Sequence, residues 1–185
     1  MTPEHHHELE ILAQIARMEG CRFYLEIGSR FGISLDRIAR AMPVGSRIVS
    51  IDLPGGAWGH KDSHSQLEEV CGALRASGYD VHLHLGDSTD PEIIEAVRAL
   101  GPYGLCYIDG DHRYEGVEKD WLNYGPMCRL VSFDDIWTDR KKKFDDGFIH
   151  AGVFRLWSEI RKGKRYLEIA GTEKRTQGIG VLWNG

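Results

Sequence analysis

Leu25-Glu26-Ile27-Gly28-Ser29-Arg30-Phe31-Gly32-Ile33-Ser34 reads as the end of a buried strand, a tight glycine turn and the opening of a helix. Phe23, Leu25 and Ile27 supply the strand, and Ser34 begins an apolar pattern of Leu35, Ile38, Ala39 and Met42 at helical spacing. Gly28 and Gly32 bracket a turn in which the backbone can take positive φ or come close to a ligand. A strand feeding a helix through such a turn aims free backbone N–H groups at whatever sits above the sheet, which makes it a nucleotide or cofactor seat. The spacing is G-x-x-x-G and not the dinucleotide fingerprint G-x-G-x-x-G, because Arg30 stands where the middle glycine would be. Alone, the turn serves a cofactor site and an ordinary strand-to-helix connection equally well, so the flanking chain has to decide.

Upstream, residues 4–19 carry Leu9, Leu12, Ile15, Ala16 and Met18 at near-helical spacing, with Gly20 placed to stop the helix. His5, His6 and His7 at its start point in different directions on a helix and read as a solvated beginning, not a metal site. Downstream, Arg47–Ile51 is a second strand ending in Asp52, and an acid about 20 residues past a glycine turn is where such folds hold a ribose hydroxyl pair. A glycine-rich loop, residues 53–62, offers Trp58 and His60 to a bound ligand. The alternation then continues: a helix over 63–77, a strand over 81–85, a helix opened by Pro91, a strand over 104–108, a helix over 114–124, a strand over 129–133 and a helix over 152–161. His82 and His84 share one face of the third strand and fit a half-exposed edge better than a metal pair. Residues 165–170 and 178–183 close the chain as two strands whose link is too short for a crossover helix, so they pair antiparallel.

Alternation of this kind predicts an α/β fold, a doubly wound, mainly parallel sheet with helices on both faces and a C-terminal antiparallel hairpin. Ligands in such sheets bind beyond the carboxyl ends of the strands. That rule gathers the glycine turn, Asp52, Asp87, the stretch Asp109-Gly110-Asp111-His112 and the pair Asp134-Asp135 onto one rim. Strand ends lie about 4.8 Å apart, so carboxylates clustered there repel unless a cation or proton neutralises them. Oxygen donors without thiolate suit Mg²⁺, with Ca²⁺ and Mn²⁺ as relatives. Helix capping and turn formation would use the same acids. His112, three residues beyond Asp109, can take a proton at neutral pH and would act as general base beside such a cation.

The bulk composition agrees with one soluble domain of 185 residues, 42% hydrophobic and 28% charged. A net charge of −5 argues against a nucleic-acid partner, no apolar run is long enough to span a membrane, and Met1–Glu10 lacks a signal-peptide core, so a cytoplasmic location is expected. Cys21, Cys71, Cys106 and Cys128 are widely spaced and read as buried reduced thiols. The basic run Arg140–Lys143 is a solvated loop or a contact for a phosphate- or carboxylate-bearing ligand.

Two stretches resemble a known family. Leu25–Ser34 is similar to motif I of class I S-adenosylmethionine-dependent methyltransferases, in the L-E-x-G-x-x-x-G-x-S form of the catechol-type O-methyltransferases. Ile108-Asp109-Gly110-Asp111-His112-Arg113-Tyr114-Glu115-Gly116-Val117 resembles the I-D-G-x-H-x-Y-x-x-V signature of small bacterial and phage methyltransferases, of which macrolide-sugar O-methyltransferases carry a related version. The resemblance implies a single Rossmann-like methyltransferase domain over 1–185 with a seven-stranded sheet, residues 1–21 forming an N-terminal helix and 136–152 a variable acceptor-side loop. It implies S-adenosylmethionine as cofactor, with Gly28, Ser29, Gly32 and Ser34 around its methionine part and Glu26 nearby. Asp52 would then hold the ribose, and Asp87 and Ser88 would meet the adenine. Asp109, Asp134 and Asp135 would hold Mg²⁺, Asp109 serving the cofactor and the catalytic step as well, with His112 where catechol-type enzymes have a lysine base and macrolide-sugar enzymes a histidine. Catechol-type enzymes have Asp-Asn where this chain has Asp134-Asp135 and carry a longer N-terminal cap. The pocket for a small-molecule acceptor is accordingly expected from residues 53–62, residues 136–150 or a neighbouring subunit of a homo-oligomer. An NAD-type oxidoreductase, a cephalosporin-hydroxylase-like protein and a non-catalytic S-adenosylmethionine-binding module are the alternatives.

Overall fold

The computed structural model describes residues 3–55, 63–137, 152–170 and 178–184. Trp58 and His60, the basic run Arg140–Lys143 and the 171–177 link of the closing strand pair lie outside the described residues. In chain order the elements are α1 (Pro3–Met18), β1 (Phe23–Ile27), α2 (Ile33–Ala41), β2 (Arg47–Asp52), α3 (Ser63–Ala76), β3 (Asp80–Leu85), α4 (Pro91–Leu100) and β4 (Tyr103–Ile108). They continue with α5 (Tyr114–Tyr124), β5 (Cys128–Phe133), α6 (Gly152–Ile160), β6 (Tyr166–Ile169) and β7 (Ile179–Trp183). The expected strands and helices are all present, with ends shifted by a residue or two. Local chemistry explains such accuracy: α4, for example, starts where Asp90 accepts from the Glu92 N–H at 2.8 Å and Pro91 takes the first helical turn.

The seven strands lie in the order β3-β2-β1-β4-β5-β7-β6. Every pair among β1 to β5 is parallel, and β7 pairs antiparallel with both β5 and β6. The last strand therefore inserts between β5 and β6, and the hairpin joins the sheet through its second arm. Two apolar layers cover the faces. On one, Leu9 and Leu12 of α1, Leu35 and Ile38 of α2 and Leu67 and Leu74 of α3 pack on Tyr24, Ile48, Leu105 and Tyr107. On the other, Val97 of α4, Val117 and Tyr124 of α5 and Leu156 and Trp157 of α6 pack on Leu25, Val49, Cys106 and Val131. The central strands are thus buried on both sides, as a covered parallel sheet requires. The four cysteines are free and buried, as expected. His82 and His84 lie on the edge strand β3, with His82 Nε2 2.9 Å from Asp80 Oδ1. No helix among the described residues is long and apolar enough to cross a membrane.

The chain runs outward from β1 to β3 and then returns to place β4 on the other side of β1. The carboxyl ends of β1 and β4 therefore flank the topological switch point, where doubly wound sheets open a crevice. Register keeps the rim level: Ile27 pairs with Ile51 on one side and Ile108 on the other. Backbone bonds continue past the strands, from Gly28 N–H to Ile51 O at 2.8 Å, Asp109 N–H to Ile27 O at 2.9 Å and Asp134 N–H to Ile108 O at 3.1 Å.

Candidate active site

The turn after β1 is held by its own backbone. Gly28 has φ +86°, and a Cβ there would stand 2.3 Å from the Asp109 carbonyl oxygen. Gly32 has φ +74°, and a Cβ would press to 3.0 Å on Val70 of α3. Arg30 also takes positive φ, +49°, in the place where the dinucleotide fingerprint has glycine. What the turn uses at position 30 is the main chain, since the Arg30 N–H donates to Asp52 Oδ1 at 2.9 Å. The turn and the acid at the end of β2 are therefore one unit. Asp52 is 8% exposed, and its burial raises the carboxyl pKa against the lowering effect of that N–H.

Three N–H groups of the turn are engaged within the fold. The N–H groups of Gly28, Arg30 and Gly32 are spent on Ile51, Asp52 and Ser29. The first turn of α2, whose N-cap Gly32 makes no side-chain cap, offers N–H groups to a ligand. Below them lies a buried polar layer. Ser34 Oγ donates to Glu26 Oε1 at 2.7 Å, the Tyr24 hydroxyl donates to Glu26 Oε2, and Ser50 Oγ donates to Ser29 Oγ at 2.8 Å. Glu26 is wholly buried, which pushes its pKa to about 7 against the lowering bonds from Tyr24 and Ser34. Glu26, Ser29 and Ser34 thus brace the turn from beneath.

At the β3 end, Asp87 Oδ1 accepts from both the N–H and the hydroxyl of Thr89 at 2.8 Å, closing an Asx turn and holding its carboxyl below the usual range. Ser88 turns inward. Its hydroxyl donates to Asp120 Oδ1 at 2.6 Å, and its carbonyl accepts from the Tyr124 hydroxyl at 2.6 Å.

The acids beyond β4 and β5 divide into two groups. Asp109, His112 and Asp134 each offer a ligand atom within 4.8 Å of the others. His112 Nε2 lies 3.1 Å from Asp109 Oδ1, and its Nδ1 lies 3.3 Å from Asp135 Oδ2. Asp135 reaches the ring by taking φ +56°, and its Oδ1 is buried without a hydrogen-bond partner among the described residues. Burial alone would keep His112 neutral, but the bonds to Asp109 and Asp135 overcome it and raise the pKa well above the ordinary value. Asp111 leaves the cluster: both its oxygens hold Arg113, which keeps its carboxyl low despite burial. The compact donor group is therefore Asp109, His112 and Asp134, with Asp135 steadying the imidazole from its other side. Its two carboxylates suit a hard divalent cation, and its imidazole can carry a proton beside them.

Gly152, which no motif marks, matters here. It opens α6 directly against the loop after β4, where a Cβ would meet Tyr114 N at 2.1 Å and His112 O at 2.6 Å. Gly152→Ala is expected to displace that loop, costing about 1–3 kcal/mol of stability as overpacking does and moving His112 away from Asp135. Thermal melting and the His112 ring resonances would show both effects, and a variant unchanged in both would refute the contact.

A family of methyltransferase domains matches residues 25–136, which include the whole rim described above. No curated protein matches the chain by sequence. Among solved structures, the O-methyltransferase from Bacillus cereus in complex with S-adenosylhomocysteine superposes with a TM-score of 0.70 at 16% identity, over 100% of this chain and 82% of that one. TomG from Streptomyces achromogenes, an O-methyltransferase of tomaymycin synthesis bound to S-adenosylmethionine, gives 0.69 at 19% identity over 96% and 79%. CalS11, a TDP-rhamnose 3'-O-methyltransferase of calicheamicin biosynthesis, gives 0.70 at 16% over 100% and 81%. At these identities the superpositions speak for the fold, which is the Rossmann-like sheet expected from the sequence.

Proposed function

Because the chain belongs to this family of methyltransferase domains and is an S-adenosylmethionine-dependent methyltransferase, we propose that it methylates a hydroxyl oxygen of a small molecule with the help of a divalent cation, Mg²⁺. The observation that carries this reading is the convergence of Asp109, His112 and Asp134 beside the glycine turn, two carboxylates for a cation and an imidazole for a proton. The O-methyltransferase neighbours support the choice of oxygen as acceptor.

The roles follow from position. Gly28 lets the backbone close on the β4 loop, Gly32 lets α2 begin against α3, and the uncapped first turn of α2 faces the methionine part of the cofactor. Asp52, fixed by the Arg30 N–H, holds the ribose hydroxyls, and Ser88 faces the adenine. Asp87, whose Oδ1 closes the turn, shapes the loop. Asp109 and Asp134 would hold the cation, with His112 and Asp135 at hand. The cofactor supplies an activated sulfonium methyl, and a bound cation lowers the pKa of an acceptor hydroxyl and fixes its direction. His112, in its neutral form, would accept the hydroxyl proton at a ring nitrogen. The rest of the catalysis is positioning by rigid strand ends.

Calorimetric titration of S-adenosylmethionine, with and without Mg²⁺, on wild type and Asp109→Ala tests the site. Wild type is expected to bind, and the variant to bind about tenfold or more weakly, because Asp109 closes the cofactor seat against Gly28 as well as facing the cation. No binding to folded wild type would overturn the assignment of this rim.

A further inference from the structure

α5 presents to the rim a carboxylate that neither the cation nor the acceptor requires. Asp120 is 1% exposed on the inner side of that helix, and its Oδ1 accepts the Ser88 hydroxyl at 2.6 Å. One turn further on, the Tyr124 hydroxyl donates to the Ser88 carbonyl at 2.6 Å. The helix after β4 thus grips the loop after β3 by the hydroxyl and the carbonyl of one serine. Asp120 also reaches the β4 loop, since its Oδ2 stands 3.4 Å from where a Cβ on Gly110 would lie. The loops after β3 and β4 therefore meet at Asp120.

A serine hydroxyl has one proton to give and lone pairs to accept with. Here the proton is committed to Asp120, so toward any other partner Ser88 is an acceptor only. We propose that Asp120 is a specificity-determining positioning residue: by taking the Ser88 proton it makes the site read an amino group at position 6 of the cofactor's purine and reject a carbonyl there. This rests on the assignment of the rim as the cofactor seat with the base at Ser88. Gly110 adds to it, because a side chain at that position would fill the space beside Asp120 and Ile27.

The electrostatic setting makes the device readable. Asp87 faces Asp120 from the β3 loop and Asp111 from the β4 loop, with Cys106 on β4 and Tyr124 on its own helix also close. Burial first, then the two neighbouring carboxylates, push the Asp120 pKa to about 7 against the Ser88 bond. A protonated Asp120 can itself donate to Ser88 and free the serine proton, so discrimination should weaken on the acid side.

The test is the ratio of dissociation constants for S-adenosylhomocysteine and S-inosylhomocysteine, measured by calorimetry on the full chain. Wild type at about pH 8 is expected to prefer the adenosyl compound by about tenfold or more, the scale of one hydrogen bond between unlike groups. That preference is expected to shrink toward about pH 6, below the Asp120 value of about 7. Asp120→Asn, whose amide can donate to Ser88, and Ser88→Ala, which removes the hydroxyl, are both expected to lose most of the preference while still binding S-adenosylhomocysteine. A preference that survives both substitutions, or variants that weaken both compounds equally, would overturn the inference and leave the cofactor seat standing. Failure of folded wild type to bind either compound would overturn the seat and the inference together.

Discussion

Gly28→Ala is expected to lose S-adenosylhomocysteine binding altogether in calorimetry and to melt well below wild type. Two penalties coincide at this residue. Its φ of +86° is one that an L side chain rarely adopts, at a cost of about 1–3 kcal/mol. The added methyl would also stand 2.3 Å from the Asp109 carbonyl oxygen and 2.7 Å from its carbon. These are backbone atoms at the end of a central strand, so no flexible side chain can swing aside. Overpacking adds about 1–3 kcal/mol. For a chain of this length each kcal/mol lowers Tm by about 2–4 °C, so a fall of about 5–20 °C is expected. The functional loss goes further than the stability loss because of what must move. Ile27 O holds Asp109 N–H at 2.9 Å, and Gly28 N–H holds Ile51 O at 2.8 Å. Any shift that relieves the clash parts β1 from β4 or from β2, and with them Asp109 from the Asp52 unit. Gly45→Ala is the control: it shares a positive φ, +84°, but a Cβ there meets nothing within 4 Å. It is expected to lose stability alone and to keep cofactor affinity. Equal effects of the two substitutions on binding would refute a special role for the close approach at Gly28.

Most of the fold, and with it the level of the candidate rim, is legible in the sequence. Strand and helix identity rests on short-range periodicity and on punctuation such as Gly28, Asp90-Pro91 and Gly32, so the elements came out nearly complete. The rim also followed, because a parallel sheet delivers Asp52, Asp109 and Asp134 at one level once the strands are known. What periodicity does not carry is pairing across sequence distance. That β7 lies between β5 and β6 depends on which arm of the hairpin meets Ser132 and Phe133. Asp120 reads as one more polar position on an amphipathic helix, and its partner Ser88 is 32 residues away. Gly152 has a positional hint, a glycine opening a helix, but its reason is the backbone of the His112 loop. Adjacent acids are a further limit. Asp134 and Asp135 look equivalent as residue types, and only the positive φ at Asp135 sends one to the donor group and the other to the far nitrogen of His112. Asp87 shows the reverse, since its Oδ1 is committed to a local turn with Thr89.

His112 carries the second large prediction, and its sign depends on what neutralises the carboxylates. Without a cation the ring is held between Asp109 and Asp135 and its pKa lies well above the ordinary value. A histidine raised on folding contributes stability that is full below about pH 6.5 and fades as pH rises through the folded value. His112→Asn is therefore expected to destabilise the metal-free protein at about pH 6 by about 1.5–3 kcal/mol, the range for hydrogen bonds to charged groups. The deficit should close in alkaline buffer. Mg²⁺ should change this balance, because carboxylates engaged by a cation attract the imidazolium less. The Cε1–H resonance of His112, assigned by its absence in His112→Asn, is expected to titrate above about pH 6.5 in metal-free protein and at a lower pH when Mg²⁺ is added. If His112 is the base, the variant should keep S-adenosylhomocysteine affinity while kcat toward an accepted hydroxyl substrate falls by about 10²–10⁴. The acid limb of the pH–rate profile should vanish with it. A ring that titrates near about pH 6.5 whatever the metal content would show that the two carboxylates do not govern it. Full turnover by His112→Asn would move the proton transfer to another group on the rim.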